Sequence, residues 1–177
     1  MTWEEQLFAV FDDLEQQADG LFQVEREAEV ADRGQAEYAH VTLASRVMAS
    51  LEREITVEVV GVGTVCGTLR RACAEWFLLG GHGQEWIVRL AAVSQLRGAS
   101  SRSVPEAAWS PVARLGLGSA LRRIVLARER CVVHLFDGSR HDVRPVRVGA
   151  DFVEVTTGES TSSLFAFASM AAVQRRD

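Results

Sequence analysis

The sequence predicts an α+β chain. An N-terminal helical region is followed by two small five-stranded β-barrels, joined by a linker and a helix. Three observations carry this expectation. Residues 131–175 alternate apolar and polar positions with a period of two, as half-buried strands do. Shifted back by 76, residues 131–155 overlay 55–79 without a gap: Val133 falls on Val57, Arg147 on Arg71, Ala150 on Ala74, Asp151 on Glu75 and Phe152 on Trp76. With one more residue of shift in a loop, Phe165–Ala168 falls on Val88–Ala91 and Val173 on Leu96, so the five-strand pattern occurs twice. Before residue 55 the apolar residues instead recur at helical spacing. The expected regions are 1–54 (helical), 55–98 (first barrel), 99–130 (linker and helix) and 131–177 (second barrel).

Residues 2–19 read as an amphipathic helix, with Thr2 and Glu5 as a capping box and Trp3, Leu7, Phe11 and Leu14 on one stripe. So short a helix needs a docking surface, and Trp3 and Phe11 are expected to bury against a second helical region, 21–51. There the expected buried residues are Tyr38, Val41, Val47, Met48 and Leu51. A second chain is the alternative occupant of the stripe, because symmetric homodimers are common.

The first barrel has glycine-rich turns at Gly61-Val-Gly63 and at Gly80-Gly-His-Gly83. A phosphate loop would need a following helix and a lysine, and the chain has 19 arginines and no lysine, so these read as hairpin turns. Gly98 to Ser110 is small and polar and reads as the linker. A helix is expected from Ser110-Pro111, with Ser as N-cap and Pro at the first position, to about Arg130. In the second barrel, Asp137-Gly138 predicts a two-residue hairpin turn that pairs Phe136 with Ser139. It also sets His134 beside His141 on one face. Two imidazoles fall short of the three or four ligands of a zinc site, so no metal ligand set is assigned.

Charge narrows the function classes. Residues 1–54 hold 13 acidic side chains and 4 arginines, net −9, whereas 55–108 and 109–177 carry net +1 and +3. An acidic N-terminal third disfavours sequence-independent nucleic-acid binding, which needs a basic face. Cys66, Cys73 and Cys131 form no CxxC pair and read as structural thiols of a reduced, cytoplasmic protein. No signal peptide and no membrane-spanning run is expected. No serine sits in a Gly-x-Ser-x-Gly elbow, and no catalytic or cofactor-binding residue is assigned.

A helix followed by five strands, with one helical turn before the fifth, resembles the Sm-like and SH3-like small barrels, here in tandem. The chain also resembles an uncharacterised family of hypothetical proteins from high-GC Gram-positive bacteria. The marks are Trp3-Glu-Glu5, Glu29-Val-Ala-Asp-Arg33, Val148-Gly-Ala-Asp-Phe-Val-Glu154 and Phe165-Ala-Phe-Ala168. That likeness runs nearly the full length and brings no activity with it. The Sm likeness implies RNA binding through an Asp followed shortly by an Asn, and through an Arg-Gly pair. Here Asp151 is followed by Glu154, and Ala168-Ser169 stands where Arg-Gly would be, so the resemblance does not extend to that RNA pocket. The expected function is therefore a non-enzymatic interaction or scaffold protein with a protein partner, a homodimer being one form. The alternative is a nucleic-acid-binding (RNA) adaptor using Arg114, Arg122, Arg123, Arg128, Arg130, Arg140 and Arg147.

Overall fold

A computed structural model describes residues 3, 22–23, 26, 29–30, 32–81, 83–157 and 161–177 short of the last residue. The chain divides into two compact units, 1–41 and 42–177. In the first, the described residues up to 38 are helical, and Glu29 and Arg33 form an ion pair one turn apart at 3.3 Å. Every described side chain up to residue 40 is exposed. The expectation that Trp3 is buried fails, since it is 74% exposed, and Tyr38 is 60% exposed. Leu7, Phe11 and Leu14 lie outside the described residues.

The second unit opens with a short helix, α1 (Leu43–Met48). Thr42 and Ser45 cap it reciprocally: each backbone N–H donates to the other's hydroxyl at 3.1 Å, satisfying donors the helix start leaves free. Of the residues expected to be buried here, Val47 is, while Leu51 is 43% exposed. Five strands follow: β1 (Glu54–Val59), β2 (Gly63–Ala72), β3 (Trp76–Gly81), β4 (Gln84–Arg89) and β5 (Val93–Arg97), with one 3-10 turn (Leu90–Ala92) before β5. After a second helix, α2 (Leu117–Ala127), come β6 (Cys131–Leu135), β7 (Arg140–Val148), β8 (Phe152–Thr157), β9 (Thr161–Ala166) and β10 (Met170–Arg176), again with one 3-10 turn (Phe167–Ser169) before the last.

The two halves match in detail, in the register the sequence predicts. In β2 the ladder skips Arg70 against β3, and in β7 it skips Val146 against β8, 76 residues on. The bulge in β5 opposite β1 leaves out Ser94, and the one in β10 opposite β6 leaves out Ala171. Even a single turn bond repeats: Val60 N–H donates to the Ala92 carbonyl at 2.8 Å, and Phe136 N–H to the Ser169 carbonyl at 3.0 Å.

The expected pair of closed small barrels is nevertheless wrong. All ten strands form one open antiparallel sheet, ordered β5-β1-β2-β3-β4-β10-β6-β7-β8-β9. A barrel would need each half to turn its fourth strand back on its own fifth. Instead β4 pairs with β10 of the other half, through Ile87–Val173 and their neighbours. Side chains reinforce this joint. Arg89 reaches across to the carbonyls of Phe167 (2.6 Å), Met170 (3.2 Å) and Ala168 (3.4 Å). Gln174 donates to Gln84 at 2.8 Å, and Arg175 bridges Glu85 (2.6 Å) and Glu129.

The cores are shared accordingly. One packs Leu117, Leu121 and Ile124 of α2 on Val133, Val143, Val153 and Val173, and it also takes Cys73, Trp76 and Ile87 from the first half. The other packs Val47 of α1 on Ile55, Val57, Leu69, Phe77 and Val88, and takes Phe136, Ala171 and Ala172 from the second half. Consecutive residues of β3 thus serve opposite faces, Trp76 and Leu78 one core, Phe77 and Leu79 the other. The hairpin turns of β1–β2 and β6–β7 also meet: a Cβ on Gly61, which sits at φ +75°, would run into the Leu135 carbonyl.

Two connections differ from expectation. The segment 98–110 is not a free linker. Ser100 is 7% exposed, its N–H donates to Ser50 Oγ at 2.9 Å, and its carbonyl accepts from Arg46 Nε at 2.7 Å. Trp109 folds back onto the Val104 carbonyl (2.9 Å). The helix expected from Ser110 is instead a 3-10 turn (Pro111–Arg114), a break at Leu115–Gly116, and then α2. Glycine at the N-cap supports this restart, and Arg128 in the left-handed region (φ 55°) ends the helix.

Candidate functional site

The histidine pair separates. Leu135 N–H donates to the Ser139 carbonyl (2.9 Å) and Gly138 N–H to the Leu135 carbonyl (3.1 Å), so the loop is Phe136-Asp137-Gly138. Gly138 takes φ +86°, as a three-residue hairpin with a left-handed third residue requires. Asp137 Oδ1 accepts from Ser139 N–H (2.8 Å) and Oγ (2.6 Å). Those bonds hold its carboxyl below the ordinary aspartate value. The extra loop residue shifts the register by one: His134 pairs with Arg140, and His141 with Val133. Directly paired residues share a face, so the two imidazoles lie on opposite faces. His141 meets Phe165 in a tilted arrangement, the ring centroids 5.0 Å apart. Among the described residues no group of three or more His, Cys, Asp or Glu could hold a metal ion.

His134 lies at a cleft of about 610 Å³ lined by Glu129, Arg130, Cys131, Val132, His134, Arg140, Asp142 and Gln174. Its ring is 5.2 Å from that of Trp86, and Nε2 is 3.4 Å from Gln174 Oε1. Burial pushes its pKa down; the Gln174 bond opposes this and the Arg140 charge adds to it. The imidazole is therefore neutral near pH 7. Both carboxylates of the cleft are already held, Asp142 by Arg130 at 3.1 Å and Glu129 by Arg175. Burial, with Asp142 next, pushes the Cys131 thiol up to about 12, so it supplies no thiolate nucleophile. Cys73 is likewise buried and raised, whereas Cys66 is exposed on β2. The cleft can hold a polar group on Arg140, but it holds no nucleophile paired with a base.

The seven candidate arginines lie on the α2 segment and on β7, and Arg130 and Arg140 line the same cleft. Arg114 ends the 3-10 turn, Arg122 and Arg123 are exposed on α2, and Arg128 caps it. Arg130 is committed to Asp142, and Arg147 to Glu154 at 2.9 Å. Arg140 faces the cleft. Glu154 also accepts from Ser162 Oγ at 3.0 Å. Among the described residues of 42–177, the exposed large apolar side chains are all aliphatic, whereas base stacking needs aromatic platforms.

The sheet edges remain. Among the described residues, β5 and β9 each pair on one side only. In an antiparallel ladder, successive residues turn their N–H and C=O to alternate sides. Phe167 N–H donates to the Asp151 carbonyl (2.7 Å) beside the Phe152–Ala166 pair, so Ala166, Leu164 and Ser162 direct their backbone groups to the open side. β9 contains no charge, no proline and no bulge, the usual devices that blunt an edge. At its centre Leu164 is 65% exposed. No protein-family model matches this chain, and no curated protein matches it.

Sequence reading singles out neither Leu164 at the β9 edge nor Arg89 at the joint between β4 and β10. A signal for the joint was present: the unbroken apolar run Trp76-Phe-Leu-Leu79 is that of a strand buried on both faces, whereas its counterpart Phe152-Val-Glu-Val155 alternates.

Proposed function

We propose that this chain is a non-enzymatic interaction protein that engages a protein partner by strand addition at an open edge of its sheet. The observation that supports this best is β9: an uncharged, regular edge strand with outward backbone groups and an exposed leucine. Recognition of this kind draws affinity from main-chain hydrogen bonds and selectivity from alternate side chains. The cleft at His134 holds no catalytic constellation, and two of the seven candidate arginines, Arg130 and Arg147, are paired with carboxylates.

The test compares proteins retained from the source cell by the wild-type chain and by Leu164→Pro. Proline removes one outward N–H and is tolerated on edge strands. Partners held by the wild type and lost by a folded Leu164→Pro protein support the reading. Identical retention by both proteins overturns it, as does salt-sensitive nucleic acid in place of protein.

A further inference from the structure

The strand that fits the β9 edge is present in the molecule itself. We infer that a second copy of this chain adds its β5 to β9 of the first, head to tail, repeating the internal joint between β4 and β10. This rests on the strand-addition reading above and names its partner.

The argument is one of register. β9 is the counterpart of β4, and β5 the counterpart of β10. The internal joint pairs Ile87 with Val173 and Trp86 with Gln174. One repeat apart, the corresponding pairs between copies are Leu164 with Leu96, and Ser163 with Arg97. Both free strands present the required groups. Leu164 turns its N–H and C=O outward, as shown above. On β5 the Val60–Ala92 bond and the bulge at Ser94 place the outward backbone groups on Leu96.

Burial points the same way. Met170 and Val173 of β10 are 0% and 1% exposed, and Val173 pairs directly with Ile87 of β4. Their counterparts Val93 and Leu96, on the open side of the other core, are only partly buried. Ile87 is 4% exposed, but its counterpart Leu164 is 65% exposed. Seating β9 on β5 would cover Leu164 and Leu96 together.

The joint between copies would be weaker than the internal one. Ala166 stands where Arg89 clamps, and Ser162 and Gly98 stand where Glu85 and Arg175 pair. The association is therefore expected to be reversible and concentration-dependent. Because the contact uses two different surfaces, it leaves one free edge at each end and builds larger assemblies, closing as a ring if the rotation allows.

The experiment uses the full chain in sedimentation and light scattering, with cross-linking by engineered cysteines. Arg97→Cys and Ser163→Cys, made separately on a Cys66→Ser background, occupy a pair of the closer, non-hydrogen-bonded type, which suits a disulfide. The expected result is a mass that rises with concentration, falls to one chain in Leu164→Asp by at least about tenfold weaker association, and gives mixed 97–163 cross-links. Circular dichroism shows whether Leu164→Asp is folded, and the cross-link stands independently of it. A single-chain mass at all concentrations overturns the proposal, as do 97–97 or 163–163 cross-links as the main product. If the chain stays monomeric yet loses cellular partners on Leu164→Pro, self-association fails and strand addition survives. If neither variant changes anything, both fail.

Discussion

Where the two halves meet, Val173 and Ile87 are 1% and 4% exposed; at the outer ends, Leu164 is 65% exposed and Leu96 is only partly buried. These are the same positions in the same repeat. The difference is the neighbouring strand. Each core closes only where another strand continues the sheet, so the first half finishes the core under α2 by lending Cys73, Trp76 and Ile87. The second half returns Phe136, Ala171 and Ala172 to the core under α1. The halves are copies in topology and dependants in packing.

The sharpest way to break this comparison is to separate them. A fragment 109–177 keeps α2 and β6–β10 but loses Trp76, Ile87 and the β4 partner of β10. It is expected to show no cooperative melting by circular dichroism, because so small a unit has little core to spare. A sharp transition in the fragment would make the halves independent.

Next in size is Phe77→Ala. Phe77 is fully buried in the core under α1, and its loss is expected to lower stability by about 3–5 kcal/mol. Chemical denaturation should show one transition for residues 42–177, moved as a whole. If tryptophan fluorescence and far-UV signals separate into two transitions, the shared-core account is wrong.

Arg89→Met tests the joint alone. It removes a cation that bonds carbonyls of the other half and leaves both cores filled. The expected loss is about 1.5 kcal/mol, the lower end for bonds to a charged group, because Arg89 is not fully buried. Faster hydrogen exchange should be confined to β4 and β10.

The smallest effect is that of pH on His134. Its folded pKa lies below the unfolded value near 6.5, chiefly from burial. Between those two values the unfolded chain binds more protons, so stability falls as pH drops from about 6.5 toward the folded pKa and is flat above. His134→Gln should remove that part of the acid slope in melting temperature. An unchanged slope would show that His134 does not face the burial described.

Much of this molecule is legible in the chain. Alternation and hairpin glycines place the strands, and the 76-residue repeat sets their register one half on the other; the matching bulges at Arg70 and Val146 come from the structure. The signals in the chain are local properties: a two-residue period, a glycine at positive φ, a proline that starts a helical turn. Asp137-Gly138 marks the turn, but the loop has three residues rather than the two that the dipeptide predicts. Two- and three-residue loops share the same dipeptide, and the choice between them decides whether His134 and His141 share a face.

The tertiary structure alone decided that β4 pairs with β10 rather than closing a barrel. Ladder hydrogen bonds are indifferent to side chains, so any free edge in the right orientation competes for β4. The choice falls to contacts far apart in sequence: Arg89 on the Phe167 carbonyl, Arg175 between Glu85 and Glu129, and Ile87 against the second core. The same fact leaves β5 and β9 open. The sequence specifies ten strands and their order within each half; which edges stay unpaired follows from long-range packing, of which the two-faced apolar run Trp76–Leu79 is a local trace.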